Sequence, residues 1–406
     1  MQRQMLCCCE EPIFFCLLYN VSEMTKSLPD KKNTAGQWIG VMIYMITGAA
    51  CGIMMLENLR YYSAAGFPWY AYLLFFIVAA LLMYFCMILQ IIIHESGHLL
   101  FGLLTGYRFV SFRVFSLMIL KEGGQLRLRH LNLAGTGGQC LMAPPDMNGG
   151  DFPVMLYNYG GAILNVISAL LFLPAGLSLS GDSLLRTFFL VMTVIGIAFA
   201  LINGLPLHMG PVNNDGLNAM ELARDPQARK AFWIQMKVSE QTARGIRTKD
   251  MPEEWFSVPA DEELKNGIIA VPAVFACSRL MDEHRFPEAD ALMAHLLSIE
   301  TGIVPLHCAL LVNDRIYVEL IGENRPDILQ EMRTDEYKKL MQAMKDNPAV
   351  LRTGYAYVLL AEKNHEKAEE ISRQFEKQAE VYPYPQEILS ERELMDIAAS
   401  RAKMGV

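Results

Sequence analysis

No C-x-x-C pair occurs in this chain, although it holds nine cysteines: Cys7, Cys8, Cys9, Cys16, Cys51, Cys86, Cys140, Cys277 and Cys308. An odd number scattered in this way argues against a disulfide framework. There is no basic excess either. The formal charge is -8, which speaks against a nucleic-acid partner. No convincing signal peptide opens the chain, because the early apolar run Ile13 to Tyr19 is too short and poorly flanked. Long apolar runs are missing from the second half. Hydrophobic residues make up 52% of the whole, and the long runs lie within the first 206 residues.

What is there begins with a leader. Met24 opens a polar stretch to Gln37 and is a second candidate start, and Cys7-Cys8-Cys9 is a candidate acylation cluster. Four apolar stretches then approach or exceed the ~20 residues that a membrane span needs. They run over 38–55, 69–93, 152–175 and 185–205. Gly40, Gly48 and Gly52 in the first suit close helix contact in lipid. Basic residues fall unevenly between the spans. Lys26, Lys31 and Lys32 precede the first, and Arg108, Arg113, Lys121, Arg127 and Arg129 follow the second. The other two connections carry Arg60 and, at the edge of the fourth span, Arg186. The positive-inside rule therefore places both termini and the 105–151 segment in the cytoplasm of a multi-pass cell-membrane protein.

The second span runs directly into His94-Glu95-Ser96-Gly97-His98. On a helix the two histidines share one face and can reach one zinc ion, with Glu95 beside them to take a proton from water. Catalytic zinc usually has three protein ligands, so a third must come from elsewhere. Asp215, before Gly216, is the leading candidate, and His208 is its rival. Two buried amides stand out in the later spans. Asn165 follows Gly160-Gly161, and reads either as a donor to a developing oxyanion or as an interhelical hydrogen bond. Asn203 begins Asn-x-x-Pro206, and reads either as a holder of extended substrate or as a brace at the helix break.

Between spans two and three, Tyr107 to Ile119 is apolar with interspersed arginines, Gly123-Gly124 marks a turn, and Gln125 to Leu133 partly alternates. This predicts a small interfacial β-hairpin. Gly135 to Gly138 and Pro144-Pro145 read as a flexible approach to span three. After residue 216 the chain is charged and helical in pattern. Ser278 to Leu297 and Tyr355 to Arg373 each read as helix, short polar turn and helix, with Ala289 and Ala368 in matching places. That is a degenerate repeat close to two units of about 40 residues.

The H-E-x-x-H motif, Gly160-Gly161 with Asn165, and Asn203-x-x-Pro206 followed by Asp215-Gly216 resemble the site-2 protease family of intramembrane zinc metalloproteases. The resemblance covers roughly residues 70–220. It implies that His94, His98 and Asp215 bind zinc, that Glu95 activates water, and that Asn165 and Asn203 line the cleft. One departure is the spacing. The family commonly places its aspartate about five residues after the proline, and here Asp215 is nine after Pro206. No PDZ-like or CBS-like domain is evident.

The sequence thus predicts an all-α multi-pass membrane protein with a small interfacial β-hairpin region and a C-terminal helical-hairpin, TPR-like soluble domain. Its expected parts are a leader over 1–35, a membrane metalloprotease domain over 36–216, a helical linker over 217–260 and a repeat-like domain over 261–406. The expected function is zinc-dependent endopeptidase action on a membrane-protein or peptide substrate near the cytoplasmic face, with one catalytic zinc. A protein partner on the C-terminal helices is also expected. The alternatives are an inactive scaffold of the same fold and an ion-translocating protein. The latter class usually shows internal repeats among its spans, and none is found here.

Overall fold

In hydrocarbon a backbone N–H or C=O finds no water, so a lipid-exposed spanning segment must satisfy its own hydrogen bonds, as a helix does. The four apolar stretches do this in a computed structural model. It describes residues 34–64, 68–122, 124–131, 137–179, 183–208 and 213–404. The expectations for the leader, the start and Cys7 to Cys9 concern residues outside that set. The spanning helices are α1 (Thr34–Ala64), α2 (Trp69–Leu104), α3 (Met155–Ser178) and α4 (Leu184–Gly204). All four are long and apolar enough to cross a membrane. Leu73, Phe76, Leu81, Leu170 and Leu171 point outward, as lipid-facing side chains would.

Helix α2 is longer than the apolar span read from the sequence. The metal motif lies inside it, and it ends only at Thr105-Gly106, where Gly106 takes φ +87°. Helices α2 and α3 meet through glycines. A Cβ on Gly97 would collide with the Gly160 backbone, and one on Gly160 with Gly97.

After α2 the chain enters β1 (Arg108–Val114). Its antiparallel partner is β4 (Gly138–Ala143), in a register from Arg108↔Ala143 to Val114↔Gly138 with an irregularity between Phe109 and Ser111. The sequence reading sets flexible Gly135 to Gly138 and Pro144-Pro145 here and no strand between them; Gly138 instead opens β4, which is paired and almost wholly buried, and 135–136 lie outside the described residues. Aromatic contacts fix the ladder to α3. Tyr107 stacks on Tyr157 with ring centroids 4.7 Å apart. The Tyr107 hydroxyl donates to the Pro153 carbonyl (2.7 Å), and the Tyr157 hydroxyl to the Cys140 carbonyl (3.1 Å).

The chain divides into two units. The first, Cys8–Val114 with Gly135–Asp225, holds the elements above and a short helix α5 (Asp215–Arg224). The second includes Phe115–Ala134 and Pro226–Val406. In it, β2 (Leu117–Glu122) and β3 (Gln125–His130) form an antiparallel pair whose innermost partners are Glu122 and Gln125; Gly123 of the expected Gly-Gly turn lies outside the described residues. Helix α6 (Pro226–Ala243) follows. Then come α7 (Gly267–Asp282) and α8 (Phe286–Ser298), joined by a three-residue turn. Next are α9 (Pro305–Ile321), α10 (Pro326–Met332) and α11 (Asp335–Ala343). The chain ends with α12 (Pro348–Ala356), α13 (His365–Val381) and α14 (Pro385–Met404). Ala289 and Ala368, which open the second helix of two helix-turn-helix pairs, lie buried in one core with Leu311, Tyr317 and Leu394. The architecture is therefore an all-α multi-pass core with a small antiparallel β-sheet and a C-terminal helical region.

Candidate metal centre

One helical turn separates His94 from His98, so their rings face the same way from α2. Their Nε2 atoms lie 3.0 Å apart. The His94 ring rests on Gly161 of α3, where any Cβ would strike it. The third group comes from the first turn of α5. Asp215 Oδ2 is 3.1 Å from His94 Nε2 and 3.3 Å from His98 Nε2. All three side chains are buried.

Asp215 is aimed by its neighbour. Asn214 caps α5 by accepting from the Leu217 N–H (3.0 Å), and its amide donates to the Ile202 and Leu205 carbonyls at the end of α4 (2.5 and 2.6 Å). Gly216 lets α5 press against the Gly204 carbonyl. Within the longer spacing after Pro206, His208 and Asn213 pair in an isolated antiparallel bridge. Residues 209–212 lie outside the described set.

The outer nitrogens decide where the protons sit. His98 Nδ1 is 2.8 Å from the Tyr157 carbonyl, which only accepts, so Nδ1 carries the hydrogen. His94 Nδ1 is 2.7 Å from Asn165 Oδ1, also an acceptor. In the neutral rings, both Nε2 lone pairs therefore converge on a carboxylate oxygen. Three acceptors facing one another at these distances call for a cation between them. Burial alone would raise the Asp215 carboxyl, but when the His98 and His94 rings are protonated their charge and hydrogen bonds outweigh it and hold it well below the usual carboxylate range. The carboxylate is thus in the ionised form a metal ligand needs.

The set fits zinc. Bonds of about 2.0–2.1 Å at tetrahedral angles separate neighbouring ligand atoms by about 3.3 Å, and the three contacts here are 3.0, 3.1 and 3.3 Å. Two imidazoles and one carboxylate suit zinc better than calcium or magnesium, which prefer oxygen. Among the described residues, His94, His98 and Asp215 form the one His/Cys/Asp/Glu group gathered tightly enough to hold a metal.

The remaining expected residues divide. Glu95 is buried beside the triad, with its carboxylate against the backbone of Gly138 in β4. Asn165 directs its oxygen at His94, while its amide donates to Gln90 Oε1 (2.8 Å). Asn203 is buried at the end of α4 and donates to the Phe199 carbonyl (3.2 Å). His208 is exposed and outside the triad. Sequence reasoning missed Asn214, although an Asn before Asp-Gly at a helix start is a recognisable cap. It also missed the Tyr157 carbonyl, a backbone group with no sequence signal. No protein-family model matches the chain, and no curated protein or solved structure matches it either.

Proposed function

We propose that this protein is a zinc-dependent intramembrane endopeptidase of the site-2 protease type, hydrolysing membrane-associated substrates near the cytoplasmic face. The observation that carries this reading is the convergence of two Nε2 lone pairs and an ionised carboxylate within 3.3 Å, next to a buried glutamate, on a spanning helix. His94, His98 and Asp215 would hold the ion. Bound zinc supplies a Lewis acid that polarises a carbonyl and makes water a nucleophile near neutral pH. Glu95 takes the proton of the attacking water and returns it to the leaving nitrogen. The Nδ1 hydrogen bonds of both histidines keep their rings oriented through this exchange. A helical substrate must unwind first, because its amides are already paired. The strand region around 107–131 offers an edge for such an extended segment by strand addition. The C-terminal helices serve recognition of a protein partner.

The test replaces Glu95 by Gln. The zinc content of the purified chain should stay at one per molecule. Uncut membrane-protein substrates should accumulate in cells, with turnover reduced by about 10^2 to 10^4, the range for loss of a general base. Unchanged turnover would reject the mechanism. A wild-type chain that retains no zinc in detergent would favour the ion-translocating reading.

A further inference from the structure

Gln90 is a lone amide in the apolar part of α2, one turn before His94, and it is fully buried. Its Nε2 donates to the Met192 carbonyl of α4 at 2.8 Å. A backbone carbonyl can only accept, so this bond fixes which end of the Gln90 amide is which. Gln90 Oε1 therefore faces Asn165 and accepts from its Nδ2 at 2.8 Å. That in turn leaves Asn165 Oδ1 toward His94 Nδ1. Ser168 closes the group: its hydroxyl donates to the Asn165 carbonyl (2.8 Å), and its oxygen lies 3.4 Å from Gln90 Nε2. Gly196 of α4 leaves room for this arrangement, since a Cβ there would come 2.8 Å from Gln90 Nε2.

We infer that Gln90 is a positioning residue that sets the orientation of the Asn165 amide, and through it the tautomer in which His94 presents the lone pair of Nε2 to the metal. The inference rests on the zinc reading above. Without the Gln90 side chain the Asn165 amide keeps only its longer bond to the Gln90 backbone carbonyl (3.3 Å), against 2.8 Å to Gln90 Oε1, and it can turn over. Its NH2 would then face His94 Nδ1, the ring hydrogen would move to Nε2, and the ligand position would be blocked.

The experiment measures zinc affinity of the full-length chain in detergent by competition with a chelator, for Gln90→Met, Asn165→Asp and the double variant. Aspartate at 165 accepts from His94 Nδ1 whichever way it is turned, so it makes Gln90 dispensable. Gln90→Met alone should weaken zinc binding about 10- to 100-fold, the usual cost of losing a partner that orients a ligand. In the Asn165→Asp background the same change should cost less than about threefold, leaving the tautomer intact. A general packing defect would give equal losses in both backgrounds, and that result overturns the inference. So does a Gln90→Met chain that binds zinc like wild type while His94→Ala does not. If His94→Ala binds zinc as tightly as wild type, the metal centre itself falls, and the inference with it.

Discussion

Each of the two units buries a knot of polar side chains, and the two knots are built on opposite principles. In the helical unit the chain supplies its own cation. Arg352, fully buried in α12, donates to Asp314 at 2.6 Å and to Glu391 at 2.9 Å, and its guanidinium lies over the Tyr317 ring at 4.5 Å. Nearby, Arg247 binds Asp282 and Glu393. In the membrane unit, His94, His98 and Asp215 bring three acceptors together when both rings are neutral. The first arrangement is complete when the chain folds. The second has the geometry of a site that could hold a metal ion. Buried polar groups are costly unless satisfied, so the difference separates a structural network from a binding site.

The comparison breaks most easily at Arg352. Replacing it with Met leaves buried Asp314 and half-buried Glu391 without their cation and should destabilise the helical unit by roughly 3 kcal/mol, the low end of the cost of breaking a buried pair. Hydrogen exchange in α9 and α14 should rise sharply while zinc binding stays unchanged. Asp215→Ala should do the reverse. It removes one of three acceptors that face one another when both rings are neutral, so in that state the metal-free chain should unfold no earlier than wild type while zinc affinity collapses. If Asp215→Ala unfolded the metal-free chain as severely as Arg352→Met unfolds its unit, the contrast would be wrong.

A smaller effect concerns pH. Burial by itself would raise the Asp282 carboxyl, but hydrogen bonds from Arg247, Ser390 and the Lys249 N–H outweigh it and hold the group below its ordinary 3.8. A carboxyl lowered on folding contributes stability that is fully present above its unfolded value and is lost as pH falls through the folded one. The unfolding temperature of the full chain should therefore drop as pH falls below about 4. Asp282→Asn should flatten that part of the profile and cost ~2 kcal/mol at neutral pH, as expected for hydrogen bonds to a charged group. An unchanged acid limb would show that Asp282 does not anchor this network.

These clusters also show what sequence can and cannot disclose. The triad was legible because its spacing is local: His94 and His98 are one turn apart, and Asp215 follows a recognisable helix break. The four spans were legible because lipid demands long apolar runs. The strand Gly138–Ala143 was not, because what makes it a strand is pairing with residues some thirty positions earlier. Amide roles were equally hidden. Asn165 reads the same on paper whether its oxygen or its nitrogen faces His94, and only the chain of contacts back to the Met192 carbonyl decides. His208 rivalled Asp215 by proximity in sequence, yet it is exposed and pairs with Asn213 in a bridge.

The finest test sets one kind of substitution against itself in the two units. A Cβ on Gly138 would lie 2.5 Å from Glu95 Oε1, 2.7 Å from Glu95 Cγ and 2.8 Å from Ile91 Cγ2. No rotation of a single side chain relieves all three, because both residues belong to α2 and their helix is pinned to α3 at Gly97 and Gly160. Gly138→Ala should therefore displace the Glu95 carboxylate by a fraction of an ångström and lower turnover about 10- to 100-fold, as small misplacements of catalytic groups do. Zinc should remain bound, since neither histidine nor Asp215 is touched. At Gly354, inside α12, nothing lies within 4 Å of the added methyl. There the change should stabilise the helix by about 0.5–1 kcal/mol and leave activity alone. Turnover of Gly138→Ala equal to wild type would mean that the carboxylate tolerates movement, and the proton-transfer role assigned to Glu95 would lose its geometric basis.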